Sequence, residues 1–187
     1  MKNPFLTGKK IYLSPLTKED ITEEYIHWLN DKEVCAGNSH ATFPNNYTKT
    51  LSYVESISES KTDLVFAVRW KKNNLHIGNA SFQDINLINR SAEMAIIIGN
   101  KNYWNKGIST EILSLFIEYG FETLNLHRIT TGTPLTNRGA IRICEKNGMK
   151  KEGLLREVMF KDGKYLDVVI FSILSHEYKS IKKINLK

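Results

Sequence analysis

The stretch from Ser91 to Thr110 constrains the fold more than any other. Ser91–Gly99 (SAEMAIIIG) is almost continuously apolar, the pattern of a central strand buried on both faces. It runs into NKNYWNKGIST, a polar turn rich in asparagine, and then into a helix with the apolar set Ile108, Ile112, Leu115, Phe116 and Tyr119. A helix start presents unsatisfied N–H groups and the positive end of a dipole, so this junction suits a phosphate. Gly107 lets the backbone approach an anion closely, Asn105 tolerates positive φ, and Ser109 adds a hydroxyl donor. The chain has no G-x-x-x-x-G-K-[ST], and no G-x-G-x-x-G follows a strand. Both absences argue against the common nucleotidase and dinucleotide folds.

The other segments alternate in type. Lys10–Ser14 reads as a strand ending at Pro15. Thr17 and Asp20 resemble a capping box before a helix whose apolar face is Ile21, Tyr25, Trp28 and Leu29, ending near Asn30. Residues 33–47 follow neither period and read as a long loop, and a weaker helix follows over 47–59. Asp63–Trp70 and Leu75–Asp84 form a hairpin around Lys71–Asn74. His127–Thr133 is a strand closed by Pro134. Asn137 caps a short helix through Lys146, which Asn147-Gly148 stops with Met149 as hydrophobic follower. Leu154–Phe160 and Tyr165–Leu174 flank Asp162-Gly163, a type I′ hairpin signal. The order β, α, α, β, β, β, α, β, α, β, β predicts one mixed α/β domain, without linker or repeat, spanning residues 1–187.

Composition narrows the function. The chain has 187 residues, 41% hydrophobic and 25% charged, which is ordinary for a globular protein. No apolar run reaches the roughly 18 residues of a membrane span, and the N-terminus lacks the apolar core of a secretory signal. A cytoplasmic protein is expected, with no membrane partner. Cys35 and Cys144 cannot build a disulfide framework, and the five histidines show no metal-ligand spacing. The net charge of +6 points to an anionic partner. Its basic clusters are short (Lys9-Lys10, Lys71-Lys72, Lys150-Lys151 and the tail 179–187), which disfavours nucleic acid and fits a small polyanion such as a nucleotide cofactor.

Taken in order, YWNKGISTE, the strand after its helix, NRGAIRICEKNGM and EGLLREVMFKDGKYLDVVIFSIL resemble the GNAT superfamily of acetyl-CoA N-acetyltransferases, within it the RimJ/RimL-like branch. The likeness covers essentially the whole chain and is strongest over 76–175. It implies a central, mixed, mostly antiparallel twisted sheet with helices on both faces, and acetyl-CoA as cofactor. Ile96, Ile97 and Ile98 would offer backbone groups to the pantetheine arm. Trp104, Asn105, Lys106, Gly107, Ile108, Ser109 and Thr110 would form the pyrophosphate loop. Asn137 would hydrogen-bond near the thioester, and Lys106, Arg138, Arg142 and Lys146 place positive charge on the cofactor segments. Trp104 stands where the family often has Gln or Arg, and Ser109 where Gly or Ala is usual.

Acetyl transfer to an amine needs a base, because a free alkyl amine is protonated at neutral pH. It also needs donors for the developing oxyanion, for which backbone N–H groups near Ile96 are candidates, and an acid for the departing thiolate. Glu93 is the candidate base, with Glu157 as the alternative. Cys144 occupies the position where many relatives carry an acidic tyrosine, with Tyr103 and Ser109 as alternatives. His40 and His76 read as structural or surface residues. The first two helices, the 33–47 loop and the last hairpin should enclose the acceptor, with Trp28, His40, Phe43, Tyr47 and Phe82 as lining candidates. The acceptor is a small amine, an amino sugar or a protein N-terminus, and a homodimer is plausible from the family. The competing class is an acyl-CoA-binding module that has lost catalysis, motivated by the missing tyrosine.

Overall fold

Thr22, not Thr17, starts the first α-helix. Its hydroxyl accepts from the Tyr25 N–H, and α1 runs Glu23–Asn30. The Thr17–Asp20 box closes a separate 3-10 turn at Lys18–Asp20, where the Asp20 carboxylate accepts from the Thr17 N–H at 3.0 Å. The computed structural model describes the backbone of residues 1–185 and side chains as far as residue 181, so the end of the basic tail lies outside the described residues. The strands are β1 (Leu6–Thr7), β2 (Ile11–Pro15), β3 (Leu64–Trp70), β4 (His76–Asn86), β5 (Ser91–Ile98), β6 (Arg128–Pro134), β7 (Lys150–Lys161) and β8 (Lys164–Leu174). The remaining helices are α2 (Tyr47–Ser58), α3 (Ile108–Glu122), α4 (Arg138–Lys146) and α5 (Ser175–Asn185). The strand order is β1-β2-β3-β4-β5-β6-β8-β7, and the sheet is mixed and mostly antiparallel. Among the described residues, no helix is long and apolar enough to cross a membrane.

Contacts divide the chain into two units: Met1–Gln83 with Ala95–Ile112, and Asp84–Met94 with the described residues from Leu113 onward. In the first, β2, β3 and β4 pair antiparallel. Leu16, Ile21, Tyr25, Trp28, Leu29, Val54 and Ala67 pack together as its core. Arg69 and Asp20 form a buried ion pair, and Arg69 Nε donates to Ser14 Oγ at 2.8 Å. Burial alone would raise the Asp20 carboxyl, but hydrogen bonds from Arg69 and Thr17 outweigh it and hold the group below its usual range. The 33–47 stretch is an ordered loop. Asn45 Nδ2 donates to the carbonyls of Leu29, His40 and Phe43, and Asn45 N–H donates to Asn30 Oδ1 at 2.8 Å.

In the second unit, β5 and β6 pair in parallel over only Ser91–Glu93 and Arg128–Thr130. β6, β8 and β7 continue antiparallel around a core that includes Phe116, Ile129, Phe171 and Ile173. The Asp162-Gly163 turn has φ of +48° and +77°, as a type I′ hairpin requires. The strand β5 departs from its expected burial on both faces. Ala92 and Met94 are buried, Glu93 and Ala95 are exposed, and Ile96–Ile98 are half-buried. An apolar run does not by itself report which residues face solvent, because side chains alternate along a strand.

Candidate cofactor and active site

The loop after β5 has the backbone its residues allow. Asn105 takes φ +58° and Gly107 φ +75°, two left-handed residues at the threshold of α3. Successive N–H groups in such a turn point into a concavity that suits an anion. Three contacts hold the loop in its shape. Trp104 Nε1 donates to the Ile98 carbonyl at 2.7 Å, which explains tryptophan at this position. Lys10 Nζ donates to the Lys106 carbonyl at 2.8 Å, and the Lys10 N–H donates to Glu111 Oε1 at 2.9 Å in the first turn of α3. The Lys106 ammonium lies 5.0 Å from the Tyr103 ring, which packs against Trp70. Asn105, Lys106 and Gly107 are exposed, Ser109 and Thr110 half-buried, and Ile108 is core. The loop therefore carries N–H donors and two ammonium groups, a donor set that fits the diphosphate of a nucleotide cofactor.

Lys10 is the residue that sequence reasoning missed at this site. It was visible only as one of a basic pair at a strand start, and 96 positions separate it from Lys106. On the other side of the loop, Lys101 bridges Asp31 at 2.8 Å and Glu33 at 2.5 Å, which ties the loop's approach to the end of α1.

The second unit carries Glu93 and α4. Glu93 keeps contact with solvent, and partial burial together with the Asp84 carboxylate pushes its carboxyl above the usual range. A carboxylate raised in this way is better matched to base catalysis near neutral pH. Asn137 caps α4, its Oδ1 accepting from the Ala140 N–H at 3.1 Å, so Nδ2 is the group it can offer a ligand. Arg138, Arg142 and Lys146 are exposed along the same helix. The C-terminal stop forms as expected, with Gly148 at φ +78° and the Met149 N–H donating to the Cys144 carbonyl at 3.0 Å.

Three site expectations need correction or refinement. Cys144 is only 5% exposed, and burial pushes its thiol up to about 11. A buried thiol with a raised pKa fits a packing residue better than a proton donor to the departing thiolate. Trp28 and Phe82, at 4% and 0% exposure, belong to the core and offer no wall to an acceptor. A Cβ on Gly99 would fall 2.0 Å from Trp28 Cδ2, so the indole is closely overlaid by the end of β5. His40, Phe43 and Tyr47 are exposed around the 33–47 loop. Glu157 sits in a bulge of β7 at φ +52°, its N–H donating to Asp167 Oδ1 at 2.9 Å. His76 is structural: it shares a 2.8 Å hydrogen bond with Asn79 and packs between Tyr25 and Trp28.

Comparison with known proteins turns this geometry into a family. The model of the acetyltransferase (GNAT) domain matches residues 10–150. The chain belongs to the GNAT acetyltransferase family. It is 35% identical over 177 residues to spermidine N(1)-acetyltransferase of Escherichia coli K12, covering 92% of this chain and 90% of that one. It is 35% identical over 113 residues to the N-acetyltransferase p20 of Bacillus licheniformis, where the match spans 60% of this chain and 63% of the relative. The fold resembles the crystal structure of spermidine N-acetyltransferase from Vibrio cholerae in complex with CoA and spermine. The TM-score is 0.84 at 25% identity, over 91% of this chain and 98% of that one. The family and these relatives make the chain an acyltransferase that draws on acetyl-CoA and delivers the acetyl group to an amine.

Proposed function

We propose that the chain acetylates the primary amine of a small molecule by direct attack in a ternary complex, with the cofactor diphosphate on 104–110. The observation that carries the reading is the pair of left-handed residues Asn105 and Gly107 at the start of α3, fixed by Lys10 and Trp104. Acetyl-CoA supplies an activated thioester. The protein's work is to hold it, deprotonate the amine and steady the charge that develops on the carbonyl oxygen. Lys10, Lys106, Arg142 and Lys146 are the cations for the phosphates. The Ile96–Ile98 backbone serves the pantetheine arm, and Asn137 Nδ2 is a further donor for the cofactor. Glu93 takes the proton from the ammonium form of the acceptor, directly or through water, and partial burial together with the Asp84 charge raises its pKa in the direction that task needs.

Within the family we place the chain beside the RimJ/RimL-like enzymes on the sequence Trp104-Asn105-Lys106-Gly107. Its acceptor is a small amine rather than a protein N-terminus, a choice the spermidine-acetylating relatives support. We also read residues 1–187 as one N-acetyltransferase domain working in the cytoplasm. Exposed Leu154, Leu155, Val158 and Phe160 on β7, the last strand in the order, support self-association as a homodimer. The experiment is thiol release from acetyl-CoA against butylamine, 1,4-diaminobutane, spermidine, glucosamine and N-terminal peptides. Turnover on an amine of low molecular weight is expected. Turnover on peptides alone, or on none of the panel, would overturn the reading.

A further inference from the structure

Lys9-Lys10 and Lys71-Lys72 are short, separate basic pairs in the sequence, and the fold joins them beside the 104–110 loop. Ile11 pairs with Trp70 at the end of the β2–β3 ladder, and the Lys71 N–H donates to the Lys10 carbonyl at 3.0 Å. Lys10 and Lys71 therefore stand opposite each other just beyond the paired ends, an arrangement in which like charges repel. Both ammonium groups are anchored to carbonyls. Lys10 Nζ donates to the Lys106 carbonyl at 2.8 Å and lies 4.0 Å from where a Cβ on Gly107 would be. Lys71 Nζ donates to the Gly8 carbonyl. All of these residues belong to the first unit.

The turn that presents Lys10 is fixed from both sides. The Gly8 N–H donates to the Ile11 carbonyl at 2.9 Å. Glu111 Oε1 accepts from the N–H groups of Lys10 at 2.9 Å and Ile11 at 3.5 Å. A Cβ on Gly8 would fall 2.0 Å from that oxygen, so the absence of a side chain there admits the Glu111 carboxylate to the turn. Glu111 is thus engaged with backbone. Among the described residues, no ion pair takes in Lys10, Lys71 or Lys106. An ammonium has three donors, so Lys10 and Lys71 each keep two after the carbonyl is satisfied. Two opposed cations with unused donors and no carboxylate partner suit a dianion, and they repel the ammonium form of an acceptor. The cofactor diphosphate is assigned to the N–H groups of 104–110. CoA carries one further anion, the phosphomonoester on its ribose, with a charge of about −1.5 to −2 at neutral pH and three acceptor oxygens.

We propose that Lys10 and Lys71 bind the ribose phosphomonoester of the cofactor, so that the chain distinguishes CoA from 3′-dephospho-CoA. The inference rests on the placement of the diphosphate on 104–110 and names the groups that the remaining phosphate meets. The test is calorimetric titration of the whole chain with CoA and with 3′-dephospho-CoA, which differ only in that phosphate. CoA should bind about tenfold or more tightly, the size of one charge-assisted hydrogen bond. Lys71→Met should cut that preference severalfold, and Lys71→Arg, which keeps the charge, should retain most of it. Lys10→Met should weaken both ligands and CoA the more, because Lys10 also borders the diphosphate loop. The comparison on the parent protein needs no variant, and Lys10→Met keeps the second arm open if Lys71→Met folds poorly. Equal affinity of the parent for the two ligands, or a preference unchanged in both methionine variants, would overturn the proposal while leaving cofactor binding intact. Binding of inorganic phosphate through Lys71 with no preference for CoA would assign the lysines to a free anion and overturn it too. If the parent binds neither CoA nor 3′-dephospho-CoA, the cofactor reading falls and this proposal falls with it.

Discussion

Gly78→Ala tests whether the spacing between β4 and the end of β5 is as tight as it looks. A Cβ on Gly78 would lie 2.2 Å from the Ile97 carbonyl oxygen and 2.9 Å from Ile98 Cα, where real Cβ contacts essentially never fall below 3.0 Å. The obstacle is backbone, so no side-chain rotation relieves it, and the two strands must part by roughly 1 Å. Overpacking of this kind costs about 1–3 kcal/mol, which in a chain of this length lowers Tm by roughly 2–10 °C. The larger effect should be on function. Ile97 is the middle of the segment assigned to the pantetheine arm, and a displacement of about 1 Å near reacting groups can cost about a hundredfold in rate. Gly153→Ala is the control, since nothing lies within 4 Å of its added Cβ. Scanning calorimetry, CoA titration and acetyl-transfer rates should separate the two variants on all three measures. If Gly78→Ala matches Gly153→Ala in Tm, CoA affinity and rate, the close-approach argument is wrong.

Gly107→Glu should weaken CoA binding by about a hundredfold, because a carboxylate would face the diphosphate at short range. Gly107→Ala carries the same φ +75° strain without the charge, so similar CoA affinities for the two variants would refute the electrostatic part. Cys144→Ala should keep kcat within about threefold of the parent, since a buried thiol pushed up to about 11 is a poor proton donor; a fall of two orders of magnitude would restore it to the mechanism. With Glu93 proposed as the base in its carboxylate form and its pKa raised, kcat/KM should rise with pH through an inflection above the ordinary glutamate range, and Asp84→Asn should move that inflection downward. An unmoved inflection would detach Asp84 from the base. Burial depresses the His76 pKa despite its hydrogen bond to Asn79, so the unfolded chain binds its proton more readily. The stability His76 contributes is thus present above its unfolded value near 6.5 and is lost as pH falls below it. His76→Gln should flatten that acid limb in thermal scans, and an unchanged limb would assign it to other groups.

The local turns were legible because their chemistry lies within a few residues. Asn105 and Gly107 at positive φ, the Asn137 cap, the Gly148 stop and the Asp162-Gly163 hairpin all follow from residue type and spacing. The short β1 escaped because two residues carry no period, and α5 escaped because its segment was read for its charge although Tyr178 and Ile181 recur at helical spacing. The start of α1 was misplaced from Thr17 to Thr22, because both offer capping hydroxyls and only the folded chain uses them for different turns.

The sequence by itself determined the order of the main elements from β2 to β8, the left-handed turn at Asn105 and Gly107, and the family, since each is written in short contiguous motifs. Only the tertiary structure decided which charges work together and which polar groups are removed from water. It brings Lys10 to Lys106, buries Arg69 with Asp20 and closes Cys144 off from solvent. Those outcomes depend on packing between segments far apart in the chain, and neither burial nor the electrostatics that follow from it has a local signature.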